Sequence, residues 1–290
     1  MRFIKAETIT PRAIDECKAL VALGDQHEDI AIRVVWEGFD NLASGHFHVF
    51  LAYEQDTLIG FLAMDTYSTL QAEVSGVVHP DHRRRGVFRG LLAGAEDACV
   101  RRGIPHMLLI CDFKSQSGKA FVESADAKYH TSEYRMDLTT LNAPAHDNPQ
   151  LLVREAHSAD VDTLVSILVL GFGNYTEDDV REVIAQDIQT GARKFYVAFL
   201  DDTMIGTLNV TDMQDSLGIY GFVVLPDYRG KGHGRQILAR TIDLTRQTRQ
   251  EPIFLEVETQ NANALGLYES LGFEQTGRYD YYGKSVRSAD

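Results

Sequence analysis

At 290 residues, with 44% hydrophobic side chains, the chain has material for two ordinary cores. A formal net charge of −14 and a pI near 5.1 exclude a protein built to grip phosphate backbones, which needs a positive field, and suit a cationic ligand. Cys17, Cys99 and Cys111 are widely spaced and form no CxxC pair, so packed thiols are expected rather than a disulfide framework or a metal site.

The first residues, MRFIKAETIT, lack the apolar stretch of a secretion signal. No apolar run approaches the ~20 residues that span a bilayer, and a cytoplasmic protein with neither membrane nor nucleic-acid partner is expected. Further along, LAYEQDTLIG (51–60) precedes Pro80-Asp81-His82-Arg83-Arg84-Arg85-Gly86. Both recur at an offset of 146 (226 − 80), as VAFLDDTMIG (197–206) and Pro226-Asp227-Tyr228-Arg229-Gly230-Lys231-Gly232. Two matching stretches in one register imply two homologous units. Asn142 to Pro149, with two prolines and two asparagines, reads as the joint, giving units at 1–141 and 151–290 around a linker at 142–150.

In the second unit a strand starts at Leu152-Val153-Arg154, and Ser158-Ala159-Asp160 is expected to cap a helix carrying Val161, Leu164, Val165 and Leu168 at helical spacing. A second helix is predicted over 176–189, a hairpin over 194–200 and 203–210 turning at Asp201-Asp202, and a strand over 217–225. A helix over 232–247, a strand over 253–258, a helix over 262–271 and a strand over 279–282 complete an α/β mixed sheet flanked by helices. The first unit follows the same order.

Arg229-Gly230-Lys231-Gly232-His233-Gly234 lies between an apolar strand and an apolar-periodic helix. Glycines there let main-chain N–H groups converge on an anion at the positive helix end, and a pyrophosphate is the natural guest. The loop resembles the Arg-x-x-Gly-x-Gly signature of the Gcn5-related N-acetyltransferases. Asn261-x-x-Ala264-x-x-Leu267-Tyr268-x-x-x-Gly272-Phe273 resembles that family's second block. The resemblance covers nearly the whole chain as two copies and implies two tandem acyl-coenzyme-A N-acyltransferase domains. It implies that acetyl-coenzyme A, without a metal, is held by Val223, Val224, Arg229, Gly230, Lys231, Gly232, His233, Gly234, Arg235 and Asn261. It also implies that Tyr268 faces the thioester sulfur, and that a main-chain N–H at Phe222 or Val223 meets the attacked carbonyl.

Amine acetylation needs a proton taken from the amine and one given to the departing thiolate. Tyr268 suits the second task, its other reading being a packed helix aromatic. Glu256, in a Leu-Glu-Val run similar to that of ribosomal-protein alanine acetyltransferases, suits the first; a solvated strand face is the alternative. Tyr220, Tyr279, Tyr281 and Tyr282 are candidates to line the acceptor pocket, or to pack between strands. The loops at 171–180 and 211–218 are expected to shape that pocket. The acceptor is left open among a metabolite, an antibiotic and a protein N-terminus. Transfer of a longer acyl or aminoacyl group and a non-catalytic acyl-coenzyme-A sensor are the rival readings.

The first loop, Arg83-Arg84-Arg85-Gly86-Val87-Phe88, is a possible second cofactor site, with Phe88 where Gly234 stands. An offset of 147 beyond it aligns Pro105 with Pro252, Leu109 with Glu256 and Phe121 with Tyr268, so the first unit is expected to be disabled. Glu73, Asp112 and Ser115 are its remaining polar candidates. Mycothiol synthases have a similar tandem layout with one working half.

Overall fold

The computed structural model describes residues 1–286 apart from 67, 145, 146, 174, 175, 192 and 214. The first half runs β1 (Arg2–Ala6), α1 (Pro11–Glu28), a 3-10 helix (Trp36–Ser44), β2 (Phe47–Glu54), β3 (Thr57–Asp65) and β4 (Gln71–Val78). After a 3-10 turn (Pro80–His82) come α2 (Val87–Arg102), β5 (His106–Asp112), α3 (Gln116–Ser124) and β6 (Lys128–Leu138). The second half runs β7 (Leu151–Glu155), a 3-10 turn (Ser158–Asp160), α4 (Val161–Phe172), α5 (Glu177–Thr190), β8 (Arg193–Leu200), β9 (Thr203–Met213) and β10 (Ser216–Val224). A 3-10 turn (Pro226–Tyr228), α6 (His233–Arg246), β11 (Ile253–Glu258), α7 (Ala262–Leu271) and β12 (Phe273–Ser285) follow. The expected order of elements holds, except that the Trp36–Ser44 3-10 helix replaces a second α-helix in the first half.

The chain forms two compact units that do not follow its covalent halves: one comprises 1–132 with 277–290, the other 133–276. The first has strand order β1-β2-β3-β4-β5-β12, the second β6-β11-β10-β9-β8-β7. Strand β12 pairs with β5 from Tyr279↔Asp112 to Ser285↔His106, and β6 pairs with β11 from Phe254↔Asp137 to Glu258↔Glu133. Each half therefore gives its last strand to the unit built by the other half. In each unit one neighbouring pair is parallel, β4 with β5 and β10 with β11; the rest are antiparallel.

Both faces of each sheet are covered. In the second unit Leu208, Ile219, Leu255, Ile237, Leu238 and Tyr268 form the core under α6 and α7. Leu164, Val165, Val197 and Val223 form the core under α4 and α5. In the first, Leu62, Val74, Leu91, Leu109 and Val122 pack under α2 and α3, and Cys17, Leu20, Phe39, Phe61 and Val77 under α1 and the 3-10 helix. The three thiols are free, and burial raises their pKa values to about 12 for Cys17, about 11 for Cys99 and about 12 for Cys111.

Ser158-Ala159-Asp160 does not cap α4 as expected. It forms a 3-10 turn capped by His157, whose N–H donates to Asp160 Oδ2 at 2.7 Å. Arg154 donates to both oxygens of Asp160 (2.7 and 2.9 Å) and, with burial opposing, holds that carboxyl below its usual range. The expected linker is fastened at both ends: Asn142 N–H donates to Leu271 O at 3.0 Å, and Asn148 N–H to Gln236 Oε1 at 2.7 Å. Its residues 145 and 146 lie outside the described residues. Among the described residues no helix is long and apolar enough to cross a membrane.

Candidate active site

The loop into α6 is an uncapped helix start. Gly230 and Gly232 take φ values of +72° and +81°, which L side chains adopt at a cost of about 1–2 kcal/mol. No side chain caps α6, and its first turn closes with Gln236 N–H on Gly232 O (3.3 Å). The main-chain N–H groups of residues 230–235 thus have no acceptor among the described residues. Arg229 Nε donates to Val224 O (2.7 Å) and Lys231 Nζ to Asp227 O (2.8 Å), so neither cation meets a carboxylate there. A Cβ on Gly230 would meet nothing within 4 Å, leaving the cradle open. Free amides, a positive helix end and two cations without counter-charges fit a diphosphate.

His233 is buried with Nδ1 unpaired, and Arg235 ties α6 to α7 through Ser270 O (2.7 Å). Asn261 accepts from Ala264 N–H at 3.1 Å and so caps α7, which commits its side-chain carbonyl.

Beside the loop the sheet opens. Strands β10 and β11 pair from Leu217↔Ile253 to Ile219↔Leu255 and then part. At the parting β10 carries a bulge between Tyr220 and Val223, with Gly221 at φ +62°. The bulge reverses the alternation: Leu217 and Ile219 face the α6 core before it, whereas Phe222 and Val224 do after it and Val223 turns to the α4 core. It also releases main-chain groups of Gly221 and Phe222 from regular pairing with β9. The signal was present in the sequence as a glycine where the period of two breaks.

Tyr268 and Glu256 lie on opposite faces of the sheet at this opening. Tyr268 is 8% exposed, stacks edge-on against Phe273 (6.0 Å), and has no hydrogen-bond partner among the described residues. Burial raises its phenol to a pKa of about 12. Glu256, half-buried, alternates with the core residues Leu255 and Val257 and therefore points to the far face, opposite Arg135. Arg135 lies over the Phe254 ring at 3.8 Å and bonds Asp137 at 3.1 and 3.2 Å; Tyr220 meets Phe254 edge-on at 6.1 Å.

Tyr220 stands on this face, packed against Phe254. Tyr279, Tyr281 and Tyr282 do not: they belong to the first unit, where Tyr279 and Tyr281 pack on Leu108 and Ile110. Strand exchange is the reason, and Glu133 and Arg135 take the corresponding positions in the second unit. Of the expected pocket loops, residues 174, 175 and 214 lie outside the described residues.

The first unit is built in the same way with its groups spent. An offset of 146, not 147, carries through the last strand and helix. Ser115 and Asn261 both cap their helices by accepting from the third residue on, and Leu109 and Leu255 both face the helix-covered core. Ile110 therefore corresponds to Glu256, and Val122 to Tyr268. The two prolines misled because each precedes its strand by one residue while the strands start one position apart in register.

Its β4 pairs with β3 from Gly60↔Val78 to Asp65↔Glu73 without a bulge. Arg84 adopts φ +61° and Gly86 φ +81°, and the amides 84–89 have no acceptor among the described residues, so a cradle persists. Its cations are spent differently. Arg83 pairs with Glu28, which also accepts from Ser115 Oγ (3.0 Å) and Ser117 N–H (3.3 Å), and Arg85 pairs with Glu54 at 2.5 Å. Burial pushes the Glu28 carboxyl up, but those hydrogen bonds and Arg83 outweigh it and hold it below its usual range.

Phe88 packs edge-on against Phe121 at 4.7 Å, beside the buried Val87. Glu73 pairs with Arg33 at 3.5 Å, Asp112 accepts from Ala31 and Lys114 N–H, and Ser115 is the helix cap. The far face is filled by Arg33 and Val35 against Ala63, Ser75 and Ile110, leaving a void of about 10 Å³.

Comparison with known proteins agrees with the duplicated architecture. The chain matches the Acetyltransferase (GNAT) family at residues 17–123 and again at 161–273. It is 42% identical over 69 residues to the [Ribosomal protein bS18]-alanine N-acetyltransferase of Escherichia coli (strain K12), a match covering 23% of this chain and 47% of that enzyme. It thus spans about half the length of that relative. It is 26% identical over 240 residues to the mycothiol acetyltransferase of Brachybacterium faecium, covering 77% of this chain and 70% of that one. A GCN5-related N-acetyltransferase from Sphaerobacter thermophilus shares the fold with a TM-score of 0.76 over 99% of this chain and 97% of that one, at 17% identity. With the family pattern matched over both repeats, this chain belongs to the Acetyltransferase (GNAT) family.

Proposed function

We propose that the second unit transfers the acetyl group of acetyl-coenzyme A to a primary amine of a small molecule or peptide. The observation that carries this reading is the conjunction, in one unit, of free amides at residues 230–235 with a sheet that parts beside a bulge. The amides, with Arg229 and Lys231, would hold the diphosphate of coenzyme A, and the opening between β10 and β11 would receive its thioester arm. Bound there, acetyl-coenzyme A supplies an activated acyl carbon.

The remaining steps fall to the chain. Glu256 takes the proton that the attacking ammonium must lose. A main-chain N–H released by the bulge, at Phe222 or Val223, donates to the oxygen on which charge develops. Tyr268 is protonated at every physiological pH and gives a proton to the departing sulfur. The acidic residues of the Glu256 face, Glu133, Asp137 and Glu258, favour approach of a cation. In the first unit Ile110, Val122 and a bulge-free β4 leave no counterpart for these steps.

The test is coenzyme A thiol release from acetyl-coenzyme A across a panel of amines, with the acetylated product identified by mass. Release that depends on the amine and falls in Glu256→Gln and Tyr268→Phe supports the reading. Release indifferent to every amine defeats it, and coenzyme A binding without release favours the sensor instead.

A further inference from the structure

The Glu256 face of the second unit holds a buried side chain that the reaction above does not use. Asn209, on β9, is 6% exposed. Its Oδ1 accepts from Thr211 Oγ1 at 2.9 Å, whereas its Nδ2 has no acceptor among the described residues. The side chain is largely buried, yet this donor is left available to a ligand or a water.

Its surroundings say which. Asn209 pairs in register with Tyr220, at the edge of the bulge. Gly221 follows, and a Cβ there would come within 2.9 Å of Asn209 Nδ2, so the absent side chain at 221 is what keeps space in front of that donor. Tyr220 and Glu256 follow the paired Ile219 and Leu255 and so point to the same face where the strands part. Asn209 and Glu256 thus share one face, with β10 between them. In the first unit Ala63 occupies the corresponding position, opposite Ser75, and that face is filled by Arg33 and Val35. The donor and the bulge occur together in one unit and are absent together in the other.

Building on the function proposed above, we propose that Asn209 is a specificity-determining residue for the acceptor. Its Nδ2 donates to an uncharged oxygen, a carbonyl or hydroxyl, on the carbon skeleton that bears the amine delivered to Glu256. The preferred acceptor class is an oxygen-bearing primary amine rather than an alkylamine or a polyamine. A site that hydrogen-bonds such an oxygen discriminates against the analogue without it, because a bound analogue would cover the donor and leave it unpaired.

The experiment compares amino-acid amides and amino alcohols with alkylamines of equal length, for the wild type and Asn209→Leu. It measures both direct binding by calorimetry to the coenzyme-A-loaded protein and steady-state turnover. The expected result is wild-type preference for the oxygen-bearing amine. Asn209→Leu should raise its Kd and KM roughly tenfold or more while leaving kcat within about twofold and the alkylamine constants unchanged. Asn209→Asp should keep the fold but not the donor and reproduce the loss. Equal effects on both amine classes, or no effect on either, would overturn the inference while leaving acetyl transfer standing. Binding discrimination without turnover would uphold it against a failed transfer reading.

Discussion

Glu256 and Arg135 face each other in register across β11 and β6, although Arg135 lies in the half of the chain before the joint at 142–150. The Glu256 face of the second unit is therefore completed by a strand of the first repeat, and the first unit is completed by the end of the second.

Removing residues 277–290 should consequently damage the first unit and spare the second. The deletion takes away the buried Tyr279 and Tyr281 and opens the β5 edge to solvent. Loss of such aromatic burial is worth about 3–5 kcal/mol per ring at most. Limited trypsinolysis read by mass spectrometry should show new cleavage within 1–132 and protection within 133–276. Cleavage concentrated in 151–276 would contradict the strand exchange.

Tyr268→Phe should lower kcat by about a hundredfold or more with little loss of stability, since its hydroxyl has no protein partner among the described residues. Because burial raises the phenol to about 12, its proton is retained well above neutrality. The wild-type kcat should hold level between about pH 8 and pH 10 rather than fall at the ordinary tyrosine value. A decline centred near pH 10 that vanishes in Tyr268→Phe would refute this assignment.

Coenzyme A should bind one per chain, in the second unit. There Arg229 and Lys231 donate to main-chain carbonyls and meet no carboxylate among the described residues, whereas Arg83 and Arg85 are held by Glu28 and Glu54. Gly232→Val forces a branched side chain to φ +81° and should weaken binding roughly tenfold, while Gly86→Val in the first loop should leave stoichiometry and affinity unchanged. Calorimetric titration decides, and a stoichiometry of two would count against a role for the Glu28 and Glu54 ion pairs in closing the first loop to coenzyme A.

The first unit should lose stability in mild acid through His48. The ring is 7% exposed with Nε2 unpaired, and burial, then Lys5 and Arg102, lower its pKa from 6.5 to about 4. The unfolded chain takes the proton below about 6.5 while the folded chain refuses it. Stability is therefore full above that value and falls as the pH drops towards about 4. Denaturant midpoints measured from pH 7.5 to 4.5 should show this slope, and His48→Phe should flatten it.

Much of this protein was legible in one dimension. Turn chemistry and hydrophobic period are local, so the hairpin at 193–213, helix α6 and the glycine loop appear in the sequence where the structure has them. The repeat was legible because copied loops keep their spacing. Register was harder: a shifted proline displaced the alignment by one residue, and only the strand faces and the caps identified Ile110 and Val122 as the counterparts of Glu256 and Tyr268.

Partner choice was not legible at all. A strand exposes the same donors and acceptors to any edge, so the pattern of β6 and β12 states that each is a strand without stating whose sheet it joins. Tertiary packing decided that Arg135 serves the second unit and that Tyr279 and Tyr281 fill the first. It likewise decided that Glu28 and Glu54 pair with Arg83 and Arg85 of one loop while Arg229 and Lys231 of the other meet no carboxylate among the described residues, because ion pairs between distant segments form only once the chain has brought them together.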